Sequence, residues 1–148
     1  MKNTPAYVKA MALLAISDMS ERKLREKLAA KGFSKEEILE AIEKLENEGY
    51  LSDDRFIENL VNYYAHKKFY GKYRIKLELL SKFDRESVDR TFDTVCEVID
   101  FKAVAVEFSL KEIKKGTDRE KLIRKLQRLG HDTSSIRSAL SVISQSEE

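Results

Sequence analysis

The sequence predicts an all-α protein, an elongated tandem array of three three-helix repeats with about nine helices. Apolar residues recur at spacings of three and four, which is the pattern of helix faces. Segments 22–45, 73–95 and 120–143 are versions of one pattern, and a repeat of this length is typical of stacked helical units. Alternation at period two, which would indicate strands, is absent from the sequence.

The helices of the three repeats align through shared apolar positions. The first helices coincide at Ala6, Ile57 and Val104, and then at Ala10, Val61 and Phe108. The second helices coincide at Leu24, Ile75 and Leu122, and then at Leu28, Leu79 and Leu126. The third helices coincide at Ile38, Val88 and Ile136, and then at Ile42, Phe92 and Leu140. This alignment predicts repeats at residues 1–48, 49–99 and 100–148, each of which buries little core without its neighbours.

Turn and cap residues mark the ends of these helices. The glycines that fall between periodic segments, where a helix can end in a left-handed residue, are Gly32, Gly49, Gly71, Gly116 and Gly130. The side chains that can cap a following helix are Ser20, Ser34, Ser52, Asp84, Asp118 and Asp132. Ser34 and Glu37 also predict a capping box. Apolar residues that precede caps at the spacing of hydrophobic staples are Met19, Phe33, Leu51 and Phe83.

The composition argues against several classes of protein. Charged residues make up 36% of the 148 residues and hydrophobic residues 42%, which is typical of a folded and soluble chain. No apolar run approaches the roughly 20 residues of a membrane span, so we expect no membrane contact, no signal peptide and a cytoplasmic location. The single cysteine, Cys96, precludes an intrachain disulfide and is expected to be a packed thiol.

The sequence carries no motif of catalysis or nucleotide binding. Phosphate-loop, dinucleotide and nucleophile-elbow patterns are absent, and His66, His131 and Cys96 do not supply a zinc set. A magnesium site or an acid/base pair could be imagined among the acidic residues 36–58, which include Asp53 and Asp54. Carboxylates at helix starts more commonly complement the helix dipole and face water. We therefore expect no enzyme activity and no cofactor.

The charge of the chain is small overall but unevenly distributed. The formal net charge is +2, whereas residues 36–58 carry nine carboxylates against two cations, and residues 111–128 carry eight cations against three carboxylates. Residues 63–77 contain five cations and no carboxylate, interleaved with aromatic rings. Cations beside flat rings suit a polyanion such as DNA, in which the cations neutralise phosphates and a ring can stack on a base.

Two groups of residues are candidates for this contact. The first group, in residues 63–77, consists of Lys67, Lys68, Tyr70, Lys72, Arg74 and Lys76. The second group, which shares one face of a predicted helix, consists of Lys121, Arg124, Lys125 and Arg128. The alternative is that the cations form a solvated surface and the tyrosines pack with apolar side chains.

Several motifs resemble those of the RecX family of bacterial regulatory proteins. The resemblance rests on the run Tyr50, Leu51, Ser52, Asp53, Asp54, Arg55 and Phe56, on the turn from Gly71 to Arg74 with Ile75 and Leu79, and on Ser20, Leu24, Leu28, Lys31, Gly32 and Phe33. It covers essentially the whole chain. The second repeat departs from the pattern after Leu79, where its turn is one residue shorter than that of the first repeat. We therefore expect this turn to differ.

The resemblance implies a non-enzymatic partner of the RecA recombinase. Such a protein would bind RecA and its filament on single- or double-stranded DNA, and would restrain ATPase, strand exchange and co-protease activities. We expect the chain to act as a monomer. The alternative is a stand-alone helical nucleic-acid-binding module that has no recombinase partner.

Overall fold

Apolar spacing and helix caps produce nine helices in residues 3–146, the part of the chain that the structure, a computed structural model, describes. The helices are α1 (Pro5–Ile16), α2 (Glu21–Ala30), α3 (Lys35–Asn47), α4 (Asp53–His66), α5 (Lys72–Lys82), α6 (Arg85–Glu97), α7 (Phe101–Lys114), α8 (Arg119–Arg128) and α9 (Thr133–Ser146). These residues form no strand, so the predicted all-α class and the number of helices are confirmed. No helix among them is long and apolar enough to cross a bilayer.

Side-chain caps set most helix starts. The predicted caps that accept a hydrogen bond from the amide three residues on are Ser20 (3.1 Å), Ser52 (3.2 Å), Asp118 (2.9 Å) and Asp132 (2.7 Å). Ser34 and Glu37 form the predicted capping box. Asp84 begins α6 but makes no side-chain cap bond, because its carboxylate pairs with Arg25 of α2 at 2.8 Å.

The prediction for glycine is correct at four positions and wrong at Gly71. The glycines with positive φ at helix ends are Gly32, Gly49, Gly116 and Gly130. Gly71 has φ −78° and begins α5, while the left-handed residue after α4 is Phe69, with φ 58°. Gly71 lies against another turn instead, since a Cβ at this position would be 2.3 Å from the carbonyl oxygen of Gly130.

The second repeat also turns without a glycine, as its shorter sequence led us to expect. Phe83 follows α5 in an extended conformation, with φ −120°, and Asp84 then begins α6. Phe83 is buried and its ring meets that of Phe56 edge-on, with centroids 5.3 Å apart. A buried ring therefore fixes this turn in place of a left-handed residue.

Each set of three helices surrounds its own cluster of buried apolar side chains. Fully buried leucines and isoleucines of the second helices lie at the centres of the clusters, at Leu24, Leu28, Ile75, Leu79, Leu122 and Leu126. Leu51 packs with the first cluster and Val104 with the second. Apolar contact thus extends across the predicted repeat boundaries, which stay a prediction.

The molecule is elongated. Its accessible surface is 9494 Å², whereas a compact monomer of this mass exposes about 7,800 Å². Three small cores in a row expose more surface than one compact core, because each repeat covers only a small part of its neighbour.

The repeats meet through the ends of their second helices. Arg22, at the start of α2, donates hydrogen bonds to the carbonyl oxygens of Ser81 and Phe83 at the end of α5. Gly71, at the start of α5, donates its amide to the Leu129 carbonyl at the end of α8, at 2.8 Å. Helices α2, α5 and α8 therefore meet end to end, and carbonyls that no helix bond can satisfy find donors in the next repeat.

Asp53 strengthens the contact between the first and second repeats, and here the expectation that it faces water is wrong. The side chain is buried, and its carboxylate accepts from the Glu21 amide at 2.8 Å and from the Ser87 hydroxyl at 3.2 Å. Burial raises the pKa of Asp53, while these two hydrogen bonds oppose the rise. Asp54, in contrast, is exposed and pairs with Arg90 at 2.8 Å.

Cys96 is a packed thiol, as the sequence predicts. The side chain is buried in the second cluster. Burial raises the pKa of the thiol to about 11, so the reactive thiolate is disfavoured near neutral pH.

Candidate functional site

The basic segment spans the end of α4, the loop 67–71 and the first half of α5. Lys67 ends α4, and its amide donates to the Tyr63 carbonyl at 2.9 Å. The Lys68 ammonium lies 5.9 Å from the centre of the Tyr63 ring. Both lysine side chains are exposed, so they are free to meet an anion.

Tyr70 and Arg74 are partly buried, and both contact other residues of the protein. The Tyr70 ring stacks on Tyr64 at a centroid distance of 5.5 Å. The Arg74 guanidinium lies 4.2 Å from the centre of the Tyr70 ring, donates to its hydroxyl at 3.2 Å, and donates to the Arg128 carbonyl at 3.3 Å. Arg74 thus joins the second repeat to the third, and Tyr70 supports its guanidinium, which weakens the hypothesis that these two side chains contact DNA.

Lys72, Tyr73 and Lys76 line a cleft of about 540 Å³ between the second and third repeats. The opposite wall includes Gln127 at the end of α8 and His131 in the turn before α9. Lys72 lies 3.8 Å from the Asp93 carboxylate. Because both of these side chains are more than half exposed, this ion pair contributes little.

The cations of α8 divide into exposed residues and one structural residue. Lys121, Arg124 and Arg128 are all exposed. The Lys125 ammonium instead donates to the buried Glu112 carboxylate at 2.8 Å, which lowers the pKa of that carboxyl, and the Thr117 hydroxyl lowers it further. Lys125 therefore neutralises a charge inside the third repeat.

The structure brings together part of the predicted contact set. Lys72 and Lys76 line the cleft next to Gln127, which lies one turn from Arg124 on α8. Lys67 and Lys68 do not line the cleft; they lie at the other end of loop 67–71. That loop touches the third repeat through the Phe69 ring, which lies 4.5 Å from the Lys111 ammonium.

His131 is a buried residue of the cleft that the sequence did not single out. Its Nε2 lies 2.8 Å from the Phe69 carbonyl oxygen, so this nitrogen must carry the proton and donate it. The other ring nitrogen, Nδ1, is the one buried side-chain nitrogen or oxygen in residues 3–146 that lacks a hydrogen-bond partner. Burial lowers the pKa of His131, although the Phe69 hydrogen bond opposes this effect.

One signal in the sequence could have identified His131. It directly precedes the cap Asp132, at the position where the other two repeats place Phe33 before Ser34 and Phe83 before Asp84. These are staple positions, which favour apolar side chains. A polar residue there departs from the local rule, and such departures concentrate at functional sites.

A second cleft, of about 380 Å³, lies between the first and second repeats. Its walls include Glu21, Glu46, Asp53 and Asp54 together with Arg90. Burial raises the pKa of Glu46, and the neighbouring carboxylates of Glu21 and Asp53 raise it further. Among residues 3–146, no group of three or more His, Cys, Asp or Glu side chains is placed to hold a metal ion.

The fold defines a class of protein: a helical-repeat protein with charged clefts between its repeats. Comparison with known proteins gives the family. The family described as "RecX, first three-helix domain" matches residues 6–45. The chain is 31% identical to "Regulatory protein RecX" of Chlorobium phaeobacteroides (strain BS1), over 95% of both chains. It is 35% identical to the protein of that name from Vibrio cholerae, over 94% of this chain and 93% of the relative. The chain belongs to the RecX family of regulatory proteins.

Solved structures show the same fold. The crystal structure of RecX from Lactobacillus salivarius superposes with a TM-score of 0.80 at 17% identity and covers 95% of both chains. A second crystal structure, of a regulatory protein RecX, gives a TM-score of 0.73 at 16% identity, over 92% of this chain and 70% of that one. The resemblance recognised in the sequence is therefore confirmed, as is the helical repeat fold.

Proposed function

We propose that this protein binds the RecA recombinase and its filament on DNA, and that it restrains ATP hydrolysis, strand exchange and co-protease activity without being an enzyme. Membership of the RecX family carries this proposal, since it defines a regulatory protein. Any effect on ATP turnover then arises because the protein binds one state of RecA more tightly than another.

The row formed by α2, α5 and α8 supports contact with a long polyanionic partner. These helices meet end to end, and each carries cations that are not buried, such as Lys23 on α2, Lys76 on α5 and Lys121 on α8. An elongated row of charge matches a filament better than it matches a small ligand. We propose that the DNA contacts come from the accessible members of the predicted set, namely Lys67, Lys68, Lys72, Lys76, Lys121, Arg124 and Arg128.

The acidic cleft between the first two repeats supports a protein contact on the same molecule. Four carboxylates line this cleft against two arginines, so the junction has a net negative charge that would repel DNA phosphates. The carboxylates are Glu21, Glu46, Asp53 and Asp54, and the arginines are Arg55 and Arg90. Basic side chains of a protein partner would be attracted there. We propose that this part of the molecule faces RecA while the basic row faces DNA.

The proposal is tested by titrating the protein into RecA, ATP and single-stranded DNA while ATP hydrolysis and filament length are followed. Hydrolysis is expected to fall at substoichiometric protein, because one bound molecule spans several filament subunits. Unchanged turnover and unchanged filament length at saturating protein would refute it.

A salt series separates this function from that of a stand-alone DNA-binding module. A module that needs no recombinase would bind labelled DNA with a steep salt slope and would fail to retain RecA in a pull-down experiment. A regulator of the filament is expected to retain RecA. DNA binding without RecA retention would therefore favour the alternative function.

Substitution of the lysines tests the contact residues. The double variant Lys72→Gln and Lys76→Gln is expected to reduce the slope of log K against log salt by about one for each phosphate that is no longer neutralised. Lys31→Gln with Lys35→Gln is the matched control, because it removes the same charge from exposed positions of the first repeat that lie at the turn between α2 and α3. Equal slopes for the two double variants would show that Lys72 and Lys76 are solvated surface residues that do not contact DNA.

A further inference from the structure

We infer that the cleft between the second and third repeats binds one unstacked nucleotide of a single strand, with its base inside the cleft and its phosphate on Lys72 and Lys76. This inference rests on the proposed contact between the basic row and DNA. It adds a site that recognises a base, whereas the proposed DNA contact requires only positive charge.

The size and walls of the cleft fit a nucleobase. Its volume of about 540 Å³ lies within the roughly 300–1,000 Å³ of small-molecule sites. Tyr73, on one wall, is 75% exposed, although a ring of this size gains stability when it is covered. Base stacking on an exposed ring is the usual basis of single-strand binding.

His131, in the wall of the cleft, carries an acceptor without a partner, the ring nitrogen Nδ1. Nδ1 carries no proton when Nε2 donates to Phe69, and nothing in the described chain donates to it. Native proteins seldom leave a buried polar atom without a partner, because the unmet hydrogen bond destabilises the fold. Nδ1 is buried as well as unpartnered, so the exocyclic amino group of a base in the cleft can donate to it only when the side chains that cover it shift on binding.

The carboxylates of the cleft favour particular bases. Asp93 and Asp132 line the same space, and their oxygens repel phosphate but accept hydrogen bonds from exocyclic amino groups. Adenine, cytosine and guanine carry such a group, whereas thymine does not. The site is therefore expected to prefer an amino-bearing base over thymine.

The positions of the cations favour a strand over a free nucleotide. Lys72 and Lys76 lie one turn apart on α5, so they can hold consecutive phosphates at the edge of the cleft. On the other side, Gln127 of the cleft wall is followed at three-residue steps by Arg124 and Lys121 along α8. A strand that leaves the cleft in this direction meets further positive charge, which a mononucleotide could not use.

A short single strand that contains one 2-aminopurine tests the site, since the fluorescence of this base is quenched when it stacks. The wild-type protein is expected to quench it on binding. Tyr73→Ala is expected to abolish the quenching and to weaken binding by about 5- to 150-fold, the range for removal of one base–aromatic stack. Tyr50→Ala is the matched control, because it removes another exposed tyrosine that does not line this cleft. Equal behaviour of the two variants would overturn the inference.

Two further measurements distinguish the ligands and the residues. The ¹⁵N resonance of His131 Nδ1 is expected to move when the adenine-containing strand binds, and to move less with an all-thymine strand. An unmoved resonance at saturation would contradict the site. Adenosine monophosphate is expected to bind far more weakly than the strand, and equal affinity would overturn the assignment to a strand.

The outcome for this site can be told apart from that for the proposed function. If Tyr73→Ala binds like the wild type while Lys72→Gln with Lys76→Gln still flattens the salt slope, the base site fails and the DNA contact stands. If the wild-type protein binds no single strand, the base site and the proposed DNA contact both fail. If the Tyr73→Ala variant no longer quenches the fluorescence but still lowers ATP hydrolysis by RecA, the base site is supported and is separate from the contact with RecA.

Discussion

Two buried polar side chains, Asp53 and His131, lie at the contacts between repeats. Asp53 is 8% exposed and accepts hydrogen bonds from α2 and α6, while His131 is 7% exposed and donates to the loop between α4 and α5. Each reaches a main-chain atom of a neighbouring repeat. A change at either residue therefore disturbs the contact between two repeats as well as its own repeat.

Replacement of Asp53 by alanine is expected to lower the free energy of unfolding by about 1–3 kcal/mol, because the partly buried Glu21 amide and the buried Ser87 hydroxyl are left without their acceptor. Asp54→Ala is the control. It removes an exposed carboxylate whose ion pair with Arg90 is worth less than about 1 kcal/mol. Urea unfolding of both variants measures the difference, and equal decreases would show that the buried hydrogen bonds of Asp53 contribute nothing special.

Stability is expected to fall as pH decreases below about 6.5. The pKa of His131 is lower in the folded protein than its ordinary value of 6.5, so below this pH the unfolded chain binds more protons than the folded chain. The decrease begins near 6.5 and continues down to the folded pKa. The pKa values of Asp53 and Glu46 are raised, so protonation of these carboxylates opposes the loss of stability. This effect comes at lower pH, nearer the ordinary pKa range of carboxyl groups.

Unfolding free energies measured across this pH range test the prediction. His131→Phe, which restores the residue type of the other two repeats, is expected to flatten the pH dependence. His66→Gln replaces an exposed histidine of α4 and is expected to keep the wild-type profile. A wild-type slope in His131→Phe would assign the effect to another group.

Helices in this chain are short, and each depends on an apolar stripe and a cap that lie within the same stretch of sequence. This is why the number of helices and most caps could be predicted: Ser34, for example, finds its partner Glu37 three residues away. Long-range partners could not be predicted in the same way. Gly71 lies against Gly130, and the Asp84 carboxylate pairs with Arg25 instead of capping α6. Both contacts span 59 residues of sequence.

The same limit applies to the candidate site. The exposure of Lys72 and Lys76 follows from their position on a helix face, so it could be expected from spacing alone. The engagement of Arg74 with Arg128 depends on how two repeats meet, and no local pattern encodes it. His131 was visible only as a polar residue at a staple position.

Gly71→Ala is expected to push α5 away from the turn between α8 and α9, because the added Cβ would lie 2.3 Å from the Gly130 carbonyl oxygen. Overpacking of this kind costs about 1–3 kcal/mol. Gly32→Ala is a useful comparison, since Gly32 has φ +96° with nothing within 4 Å of the added Cβ, and its cost of about 1–2 kcal/mol is conformational only. Only Gly71→Ala is expected to shift the His131 ring resonances. A shift in both variants would mean that the close approach of the two turns is not what holds His131.

The whole molecule is a row of three small cores that meet at narrow junctions, so its cooperativity depends on those junctions. Between the first and second repeats the junction includes the hydrogen bonds of Arg22 to the end of α5 and the ion pair of Arg25 with Asp84. In such arrays stability is approximately the sum of repeat and interface terms. Weakening one interface should therefore separate the unfolding of its two sides.

The double variant Arg22→Ala and Arg25→Ala is expected to broaden the urea transition and to lower its apparent m-value, because the first repeat then unfolds independently. Lys23→Ala with Lys31→Ala, which removes two cations at the start and end of the same helix, is the control. A single steep transition in the arginine variant would show that the remaining contacts, which are the Asp53 hydrogen bonds and the packing of Leu51 with the first core, suffice to couple the repeats.

The hydrogen bonds between repeats also bear on how such a chain can diverge. In most of them one partner is a main-chain atom: the carbonyls of Ser81, Phe83, Arg128, Leu129 and Phe69 and the amide of Glu21. Any amino acid can supply such a carbonyl, so mutation at these positions leaves the bond in place and only the residue on the other side is constrained. Roughly half of each junction can therefore accumulate substitutions without altering how the repeats are oriented, which is consistent with a TM-score of 0.80 at 17% identity to the Lactobacillus salivarius structure.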